Sequence, residues 1–175
     1  EKLRHLGFDK FRERLHTKQE GGREMYQKVL VPLDGSTLAE CALDQVKMMV
    51  KEGFAGEVTL LNVVKIDAPY AELYGKNFDI NVMRKAFLDS ARKYLADVEA
   101  LLGAEGIRVK TEVVEADRPA PAITEYARKN GTELIVIATH GYTGLKKLML
   151  GSIALSVLNQ SRTPVLVIRP EACRA

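Results

Sequence analysis

The chain has 175 residues, of which 46% are apolar and 28% are charged, and these values suit one globular domain with its own core. No apolar run approaches the roughly 20 residues that span a bilayer. The formal net charge is only +3, so the broad basic face of a nucleic-acid-binding protein is not expected. The two cysteines have neither CxxC nor metal-site spacing, so nothing requires an oxidising compartment and we expect a cytoplasmic protein.

Residues 1–24 differ from the rest of the chain, because they are rich in charge and end in Gly21-Gly22-Arg23-Glu24, just before Met25. We interpret them as an added leader or a disordered tail, with the domain at 25–170 and a short tail at 171–175. The alternative is a native helical arm, since four apolar residues could form one stripe: Leu3, Phe8, Phe11 and Leu15.

The first strand is predicted at Lys28–Leu33, an apolar run typical of a strand that is buried on both faces. A helix should follow the next turn. Thr37 and Glu40 have the spacing of a capping box, with Ser36 as the rival N-cap. Gly53 is expected to end this helix.

The second strand is predicted at Glu57–Val64, and a long loop at 65–81 follows it. Loops of this length inside compact domains usually have a function or are mobile. Tyr70, Tyr74 and Phe78 could form a lid or a partner surface, or they could pack over the next helix.

The remaining elements alternate in the same way. A long helix has apolar residues at alternating spacings of three and four: Leu88, Ala91, Leu95, Val98 and Leu102. Strands are predicted at Ile107–Val114, Leu134–Ala138 and Pro164–Ile168. A helix that starts near Pro119 and stops at Gly131 separates the first two, and a short helix from Ser152 precedes the last. Five apolar strands with helical crossovers predict a parallel, doubly wound α/β sheet, which binds ligands at the carboxyl ends of its strands.

A glycine-rich loop joins the fourth strand to the last helix, at 139–151. Glycines let the backbone approach a ligand closely, and a helix N-terminus offers unpaired N–H groups with a partial positive charge. Gly141, Gly144, Gly151 and Ser152 could therefore hold phosphate. An equally good interpretation is that the glycines shape a turn and that the serine caps a helix. The loop is neither a Walker A nor a GxGxxG motif.

The first turn, Val31-Pro32-Leu33-Asp34-Gly35-Ser36, and the loop Thr139-His140-Gly141 together resemble the universal stress protein family. The resemblance covers about residues 26–169. In nucleotide-binding members the loop follows Gly-x2-Gly-x9-Gly-Ser/Thr, and here the spacing holds as Ala138-x2-Gly141-x9-Gly151-Ser152. Alanine replaces the first glycine, and we expect this change at most to weaken binding, provided that φ is negative at Ala138.

The resemblance implies a five-stranded sheet of order 3-2-1-4-5, an adenine nucleotide alpha-hydrolase-like fold, and a site for ATP with Mg²⁺ or Mn²⁺. Asp34 would lie near the adenosine or, through water, near the metal-bound phosphates, although a carboxylate in such a turn commonly serves to cap the helix. A structural role is favoured for His140 over catalysis. The residues implied to contact nucleotide are Pro32, Leu33, Asp34, Val63, Ala138, Gly141, Gly144, Gly151, Ser152 and Ile153.

Three functions follow as hypotheses. The first is a nucleotide-dependent regulatory module in stress response, which signals to a protein partner that the sequence does not identify. The second is an ATPase or a nucleotidyl or phosphoryl transferase, expected to be slow because no strong general base emerges. The third is a nucleotide-free dimer scaffold. The resemblance implies a homodimer through Thr163–Ile168, and an apolar edge strand needs such a cover. No membrane or nucleic-acid partner is expected.

Overall fold

The computed structural model describes residues 25–66, 79–139 and 151–169. In these segments strands and helices alternate along the chain. The elements are β1 (Tyr26–Pro32), α1 (Thr37–Lys51), β2 (Ala55–Val64), α2 (Ile80–Ala104), β3 (Val109–Glu115), α3 (Pro119–Asn130), β4 (Leu134–Ala138), α4 (Ser152–Gln160) and β5 (Val165–Ile168). The predicted leader, the tail and the aromatic residues of the 65–81 loop lie outside the described residues, so the domain limits stay a prediction.

The five strands form one parallel sheet of order β3-β2-β1-β4-β5, which confirms the predicted fold class. β1 lies at the centre, where Val29 pairs with Val58 of β2 on one side and with Leu134 of β4 on the other. From β1 the chain winds outward to β3 and then returns to continue through β4 and β5. The winding therefore reverses between β1 and β4, and this is where a doubly wound sheet opens a crevice for ligands.

The helices cover both faces of the sheet, and each face has its own core. Buried residues of α1 and α2 pack on one face, among them Val46 and Leu95. Buried residues of α3 and α4 pack on the other, among them Ile123 and Val157. This arrangement explains why the central strands read as continuous apolar runs, since both of their faces exclude water.

The helix ends show which of the predicted capping residues are used. Ser36, with extended backbone, is the N-cap of α1, and its Oγ accepts the N–H of Ala39 at 3.1 Å. The alternative capping box of Thr37 with Glu40 is therefore wrong, because Thr37 is already the first helical residue. At the end of α3 the predicted stop is confirmed, since Gly131 adopts a left-handed conformation with φ of 66°.

Several element ends differ from the predictions by one to three residues. β2 begins at Ala55 rather than Glu57 because Tyr26 of β1 pairs with that residue, and pairing extends both strands beyond their apolar runs. The long helix begins at Ile80, inside the predicted loop, because the Asp79 carboxylate accepts the N–H of Asn81 and caps it. Of the helices that the structure describes, none has the length and apolar character needed to cross a membrane.

Candidate functional site

A cavity of about 290 Å³ opens at the carboxyl edge of the sheet, at the reversal between β1 and β4. The strand ends form its floor, and the first residues of α3 and α4 form its walls. The lining residues are Pro32, Leu33, Asp34, Ala39, Leu61, Val63, Pro119, Ile123, Ile137, Ala138, Gly151, Ser152, Ile153 and Ala154. Most of these side chains are apolar, and the polar groups are concentrated at the first turn and at the start of α4.

The structure brings eight of the ten sequence-predicted residues to this one cavity. They are Pro32, Leu33, Asp34, Val63, Ala138, Gly151, Ser152 and Ile153. The other two, Gly141 and Gly144, lie outside the described residues, as does His140. Whether these residues bind a nucleotide stays a prediction, but residues from four separate stretches of the sequence do meet at one place.

The first three residues of α4, Ser152, Ile153 and Ala154, line the cavity. Gly151 is the N-cap, and within the described residues no side chain caps this helix. The helical hydrogen bonds start with the N–H of Leu155, which donates to the Gly151 carbonyl at 2.9 Å. The N–H groups of Ser152, Ile153 and Ala154 precede that bond, so the helix itself does not use them. Together with the positive end of the helix dipole, they can bind an anion.

Thr139, which the sequence analysis did not select, fixes the start of α4. It is only 4% exposed. Its N–H donates to the Ile168 carbonyl of β5 at 2.9 Å, and its hydroxyl accepts the N–H of Gly151 at 2.9 Å. The start of α4 is thus held against the ends of β4 and β5. The available signal was its place as the first polar residue after the apolar run of β4.

Asp34 has a structural role as well as a place in the cavity. Its Oδ1 accepts both the N–H of Ser36, at 2.9 Å, and the Ser36 hydroxyl, at 2.6 Å. Ser36 in turn caps α1, so the carboxylate, two residues earlier in the sequence, supports the capping residue. The bonds to Ser36 engage Oδ1 alone, and Asp34 is exposed at the mouth of the cavity. The capping hypothesis and the ligand hypothesis are therefore compatible.

Ala138 occupies the position of the first glycine in the family pattern. Among the described residues only glycines have positive φ, so Ala138 has a backbone conformation that an alanine adopts without strain. Ala138 is among the residues that line the cavity, and it also packs against the first core. The replacement of glycine by alanine therefore adds one methyl group beside the site and does not distort the end of β4.

Tyr94 of α2 approaches the Asp34 turn from the side of the first core. Its hydroxyl donates to Glu40 Oε1 at 3.0 Å. Burial, with the hydrogen bond and the negative charge of Glu40, raises the pKa of the Tyr94 phenol well above its usual value, and the charge of Asp34 acts in the same direction. The phenol therefore stays protonated and remains a hydrogen-bond donor near neutral pH.

The described part of the chain contains no group of three or more His, Cys, Asp or Glu side chains that could hold a metal ion. Asp34 is the one carboxylate among the described residues that line the cavity, so it is the described side chain that could ligate a divalent cation there together with atoms of a bound molecule. Mg²⁺ commonly takes one or two carboxylates together with substrate phosphates and waters.

The fold and this cavity define a doubly wound α/β domain with an uncapped helix N-terminus at its crossover point. The model of the universal stress protein family matches residues 25–169. The chain belongs to that family, as its sequence motifs predicted. It is 31% identical to the universal stress protein MJ0531 of Methanocaldococcus jannaschii over 148 residues, which are 85% of each chain. It is also 31% identical to YxiE of Bacillus subtilis, over 83% of this chain and all of that protein.

Solved structures agree with this assignment. The structure of MJ0577 superposes with a TM-score of 0.68 at 32% identity and covers 83% of this chain and 96% of that one. Two more distant universal stress proteins share the fold. One, in complex with cAMP, has a TM-score of 0.52 at 22% identity, and covers 82% of this chain and 97% of that one. The other, from Arabidopsis thaliana with AMP bound, has a TM-score of 0.57 at 17% identity, and the match covers 82% of this chain and 91% of that one.

Proposed function

We propose that this protein binds ATP, together with Mg²⁺ or Mn²⁺, in the cavity between β1 and β4. The observation that carries the proposal is the N-terminus of α4, where Ser152, Ile153 and Ala154 line the cavity and have N–H groups that the helix does not use. The Ser152 hydroxyl can add a further donor to the same phosphate.

The apolar part of the cavity suits the rest of the nucleotide. Pro32, Val63 and Ile123 supply apolar surface to the same space. Ligand cavities are typically lined by such surface with a few polar groups that fix orientation. The base and the ribose would lie there, with the phosphates toward α4. Adenine nucleotides are bound in two family members of the same fold, with cAMP in one and AMP in the other.

The regulatory part of the proposal is that bound ATP orders the 139–151 loop and changes a surface that a protein partner recognises. We expect at most slow hydrolysis. In the described part of the cavity wall, Asp34 is the only carboxylate, and the hydrogen bonds from Ser36 already engage its Oδ1. Fast phosphate release that Asp34→Ala abolishes would favour the enzyme over the regulatory module.

The test of binding is titration calorimetry of the full chain with ATP, ADP, AMP and cAMP, each with and without Mg²⁺. Mass spectrometry of gently purified protein should also find ATP that has co-purified. The matched variant is Ser152→Pro, which removes one of the N–H groups that α4 does not use, and it should bind more weakly than the unaltered protein. The proposal fails if no adenine nucleotide gives heat, and the scaffold hypothesis then stands in its place.

A homodimer through β5 belongs to the same proposal. β5 is an edge strand, and all four of its residues, Val165–Ile168, are only partly buried. On the adjacent α4, Leu155 and Leu158 are 42% and 44% exposed. A second copy would cover this apolar edge. Light scattering should give twice the mass of the chain, and a monomer at micromolar concentration would exclude the dimer.

The cytoplasmic location also stays a proposal. In the structure Cys41 of α1 is disulfide-bonded, a state that is uncommon for cytosolic proteins. Cell fractionation with rapid alkylation of free thiols tests both points at once. A cytoplasmic protein is expected to have its thiols alkylated, and protection from alkylation in a non-cytosolic fraction would overturn the proposal.

A further inference from the structure

A second space opens directly beside the cavity, and we call it the α3–α4 groove because Arg118, Ser152 and Ser156 help to line it. Its volume is about 330 Å³. Ser152 and Ile153, the first two residues of α4, line both the groove and the cavity, and so does Pro119 of α3. The two spaces are therefore neighbours, and the start of α4, with its unused N–H groups, borders both of them.

The cavity and the groove differ in charge. Among the described residues that line the cavity, none is a lysine or an arginine, and Asp34 is the only charged side chain. Among those that line the groove, Lys65 and Arg118 are cationic and Asp117 is the one carboxylate. A polyphosphate that reaches the start of α4 from the cavity would therefore meet the positive charge of the described walls in the groove.

The backbone fixes the place of Arg118 at this groove. Arg118 immediately precedes Pro119, and a residue before proline is disfavoured in the helical region and takes an extended conformation. Its backbone is extended, with φ of −126° and ψ of 104°, and it is the N-cap of α3. The side chain therefore begins at a fixed point, and only its own rotamers have to be ordered when an anion binds.

The guanidinium of Arg118 makes no polar contact within the described part of the chain. It is exposed, contributes no hydrogen bond to the start of α3, and has no ion-pair partner there. Arg84 of α2, by contrast, is paired with Glu115 at 2.7 Å. Arg118 can therefore bind phosphate without breaking an existing contact, and the fork of N–H donors in a guanidinium matches phosphate oxygens.

We propose that Arg118 is a specificity-determining residue of the nucleotide site, which binds the phosphates beyond the first and so favours ATP over AMP. This inference rests on the proposed function, because it concerns which adenine nucleotide the same site selects. With the first phosphate at the start of α4, each further phosphate extends past Ser152 toward the groove. AMP has no phosphate that reaches Arg118, so the arginine contributes to the affinity for ATP alone or for ATP and ADP.

The test is titration calorimetry of the unaltered protein and Arg118→Gln with AMP, ADP and ATP at constant Mg²⁺. Arg118→Gln should weaken ATP binding about five- to tenfold, because an exposed charge-assisted hydrogen bond is lost, and AMP binding should stay within about twofold. Arg118→Lys, which keeps the charge but not the fork of donors, should lie between the two proteins. An unchanged ratio of ATP to AMP affinity in Arg118→Gln would overturn the inference and leave the proposed function standing.

Two matched variants separate a contact with phosphate from a general effect of charge. Arg108→Gln removes the same charge from an exposed arginine just before β3, at the opposite end of the sheet from the cavity. It should bind all three nucleotides as the unaltered protein does, and a loss of ATP affinity equal to that of Arg118→Gln would contradict a local contact. Asp117→Asn should bind ATP equally or more tightly, since a repulsive charge is gone from the groove, and weaker binding would contradict the proposal.

Inorganic tripolyphosphate, which lacks base and ribose, separates this inference from the proposed function. The unaltered protein should bind it, and Arg118→Gln should bind it about five- to tenfold more weakly, with a smaller difference at high salt. If nucleotides bind but tripolyphosphate binding does not depend on Arg118, the inference fails alone. If tripolyphosphate binding depends on Arg118 but no nucleotide binds, the proposed function fails, and the selection among nucleotides fails with it.

Discussion

Two helix N-termini face the same cavity, and their first residues differ. α4 begins with Ser152, Ile153 and Ala154, each of which carries an N–H. α3 begins with Pro119, Ala120 and Pro121, so only Ala120 has an N–H among its first three residues. Both helices have the same dipole at their N-termini, and neither cap residue contributes a side-chain hydrogen bond among the described residues.

A helix dipole alone is therefore not enough to bind an anion, because the anion also needs free N–H donors at the helix N-terminus. Proline suits the first turn of a helix because the missing N–H would have no helical partner, but the same substitution removes the donor that an anion would use. α3 therefore contributes an apolar wall through Pro119 and Ile123, and α4 contributes the hydrogen-bond donors. We expect substitutions at the start of α4 to change the nucleotide affinity much more than substitutions at the start of α3.

The largest effect is expected from Ser152→Pro, which makes the start of α4 resemble that of α3. Gly151 has φ of −51° and ψ of 143°, a conformation that a residue before proline adopts readily, so the helix should still form. The loss of one N–H donor to phosphate should weaken MgATP binding about 10- to 100-fold in calorimetry. Ser152→Ala, which keeps the N–H, is the control and should lose much less. Unchanged MgATP binding by Ser152→Pro would show that the N-terminus of α4 does not contribute to the nucleotide site.

The second largest effect is expected at Asp34, the carboxylate that lines the same cavity as Ser152. Asp34→Asn keeps an oxygen that can accept the bonds from Ser36 but removes the charge, so the α1 cap should survive. With Mg²⁺ present, ATP binding should weaken about tenfold, because a cation bound by the phosphates loses its carboxylate. With a chelator present, the affinity should be equal or higher, since a repulsive charge is gone. The same loss under both conditions would show that Asp34 does not act through a metal.

A smaller effect is expected at Thr139, which fixes the start of α4. Thr139→Val keeps the shape of the side chain but leaves the Gly151 N–H without its acceptor. The free energy of unfolding should fall by about 1–2 kcal/mol, and MgATP binding should weaken about threefold because α4 begins less rigidly. Thr111→Val, in the middle of β3, is the control. Denaturant unfolding and calorimetry measure the two effects, and a loss of stability without any loss of affinity would contradict a role in positioning α4.

The smallest effect is expected at α3. Pro119→Ala restores an N–H to the first helical position, and the shape of the apolar wall changes little. If α3 acts only as an apolar wall, the affinity for MgATP should stay within about twofold of the unaltered protein. Parallel calorimetry with Ser152→Pro gives the comparison directly. A large gain in affinity would show that the phosphates lie near α3 rather than α4.

The features of this structure that depend on residues close together in the sequence could be predicted. β4 has the predicted limits, Leu134–Ala138, because its apolar run ends where its pairing ends. Gly131 ends α3 as predicted, because a glycine readily adopts the left-handed backbone conformation that ends a helix, whatever its distant neighbours are. The resemblance to the universal stress protein family implied that Pro32, Val63 and Ser152 belong to one site, and all three line the same cavity. The pattern of parallel strands predicted only the edge of the sheet where that site lies.

The contacts that stabilise the site could not be predicted in this way. The hydrogen bond from the Gly151 N–H to the Thr139 hydroxyl joins residues that are 12 positions apart in the sequence. No local sequence propensity predicts such a contact. The choice of Ser36 over Thr37 as the cap depends on where β1 stops pairing and on the support that Asp34 gives to Ser36. Strand limits such as Ala55 in β2 likewise depend on the partner strand.

The sequence alone determined the element types, the parallel doubly wound sheet and the family, because apolar spacing and turn residues act over short distances along the chain. The tertiary structure alone decided which N–H groups stay open at α4, how Thr139 fixes that helix, and that Tyr94 and Glu40 meet beside the Asp34 turn. These features depend on side chains that are distant in sequence and come together only when both cores pack against the sheet.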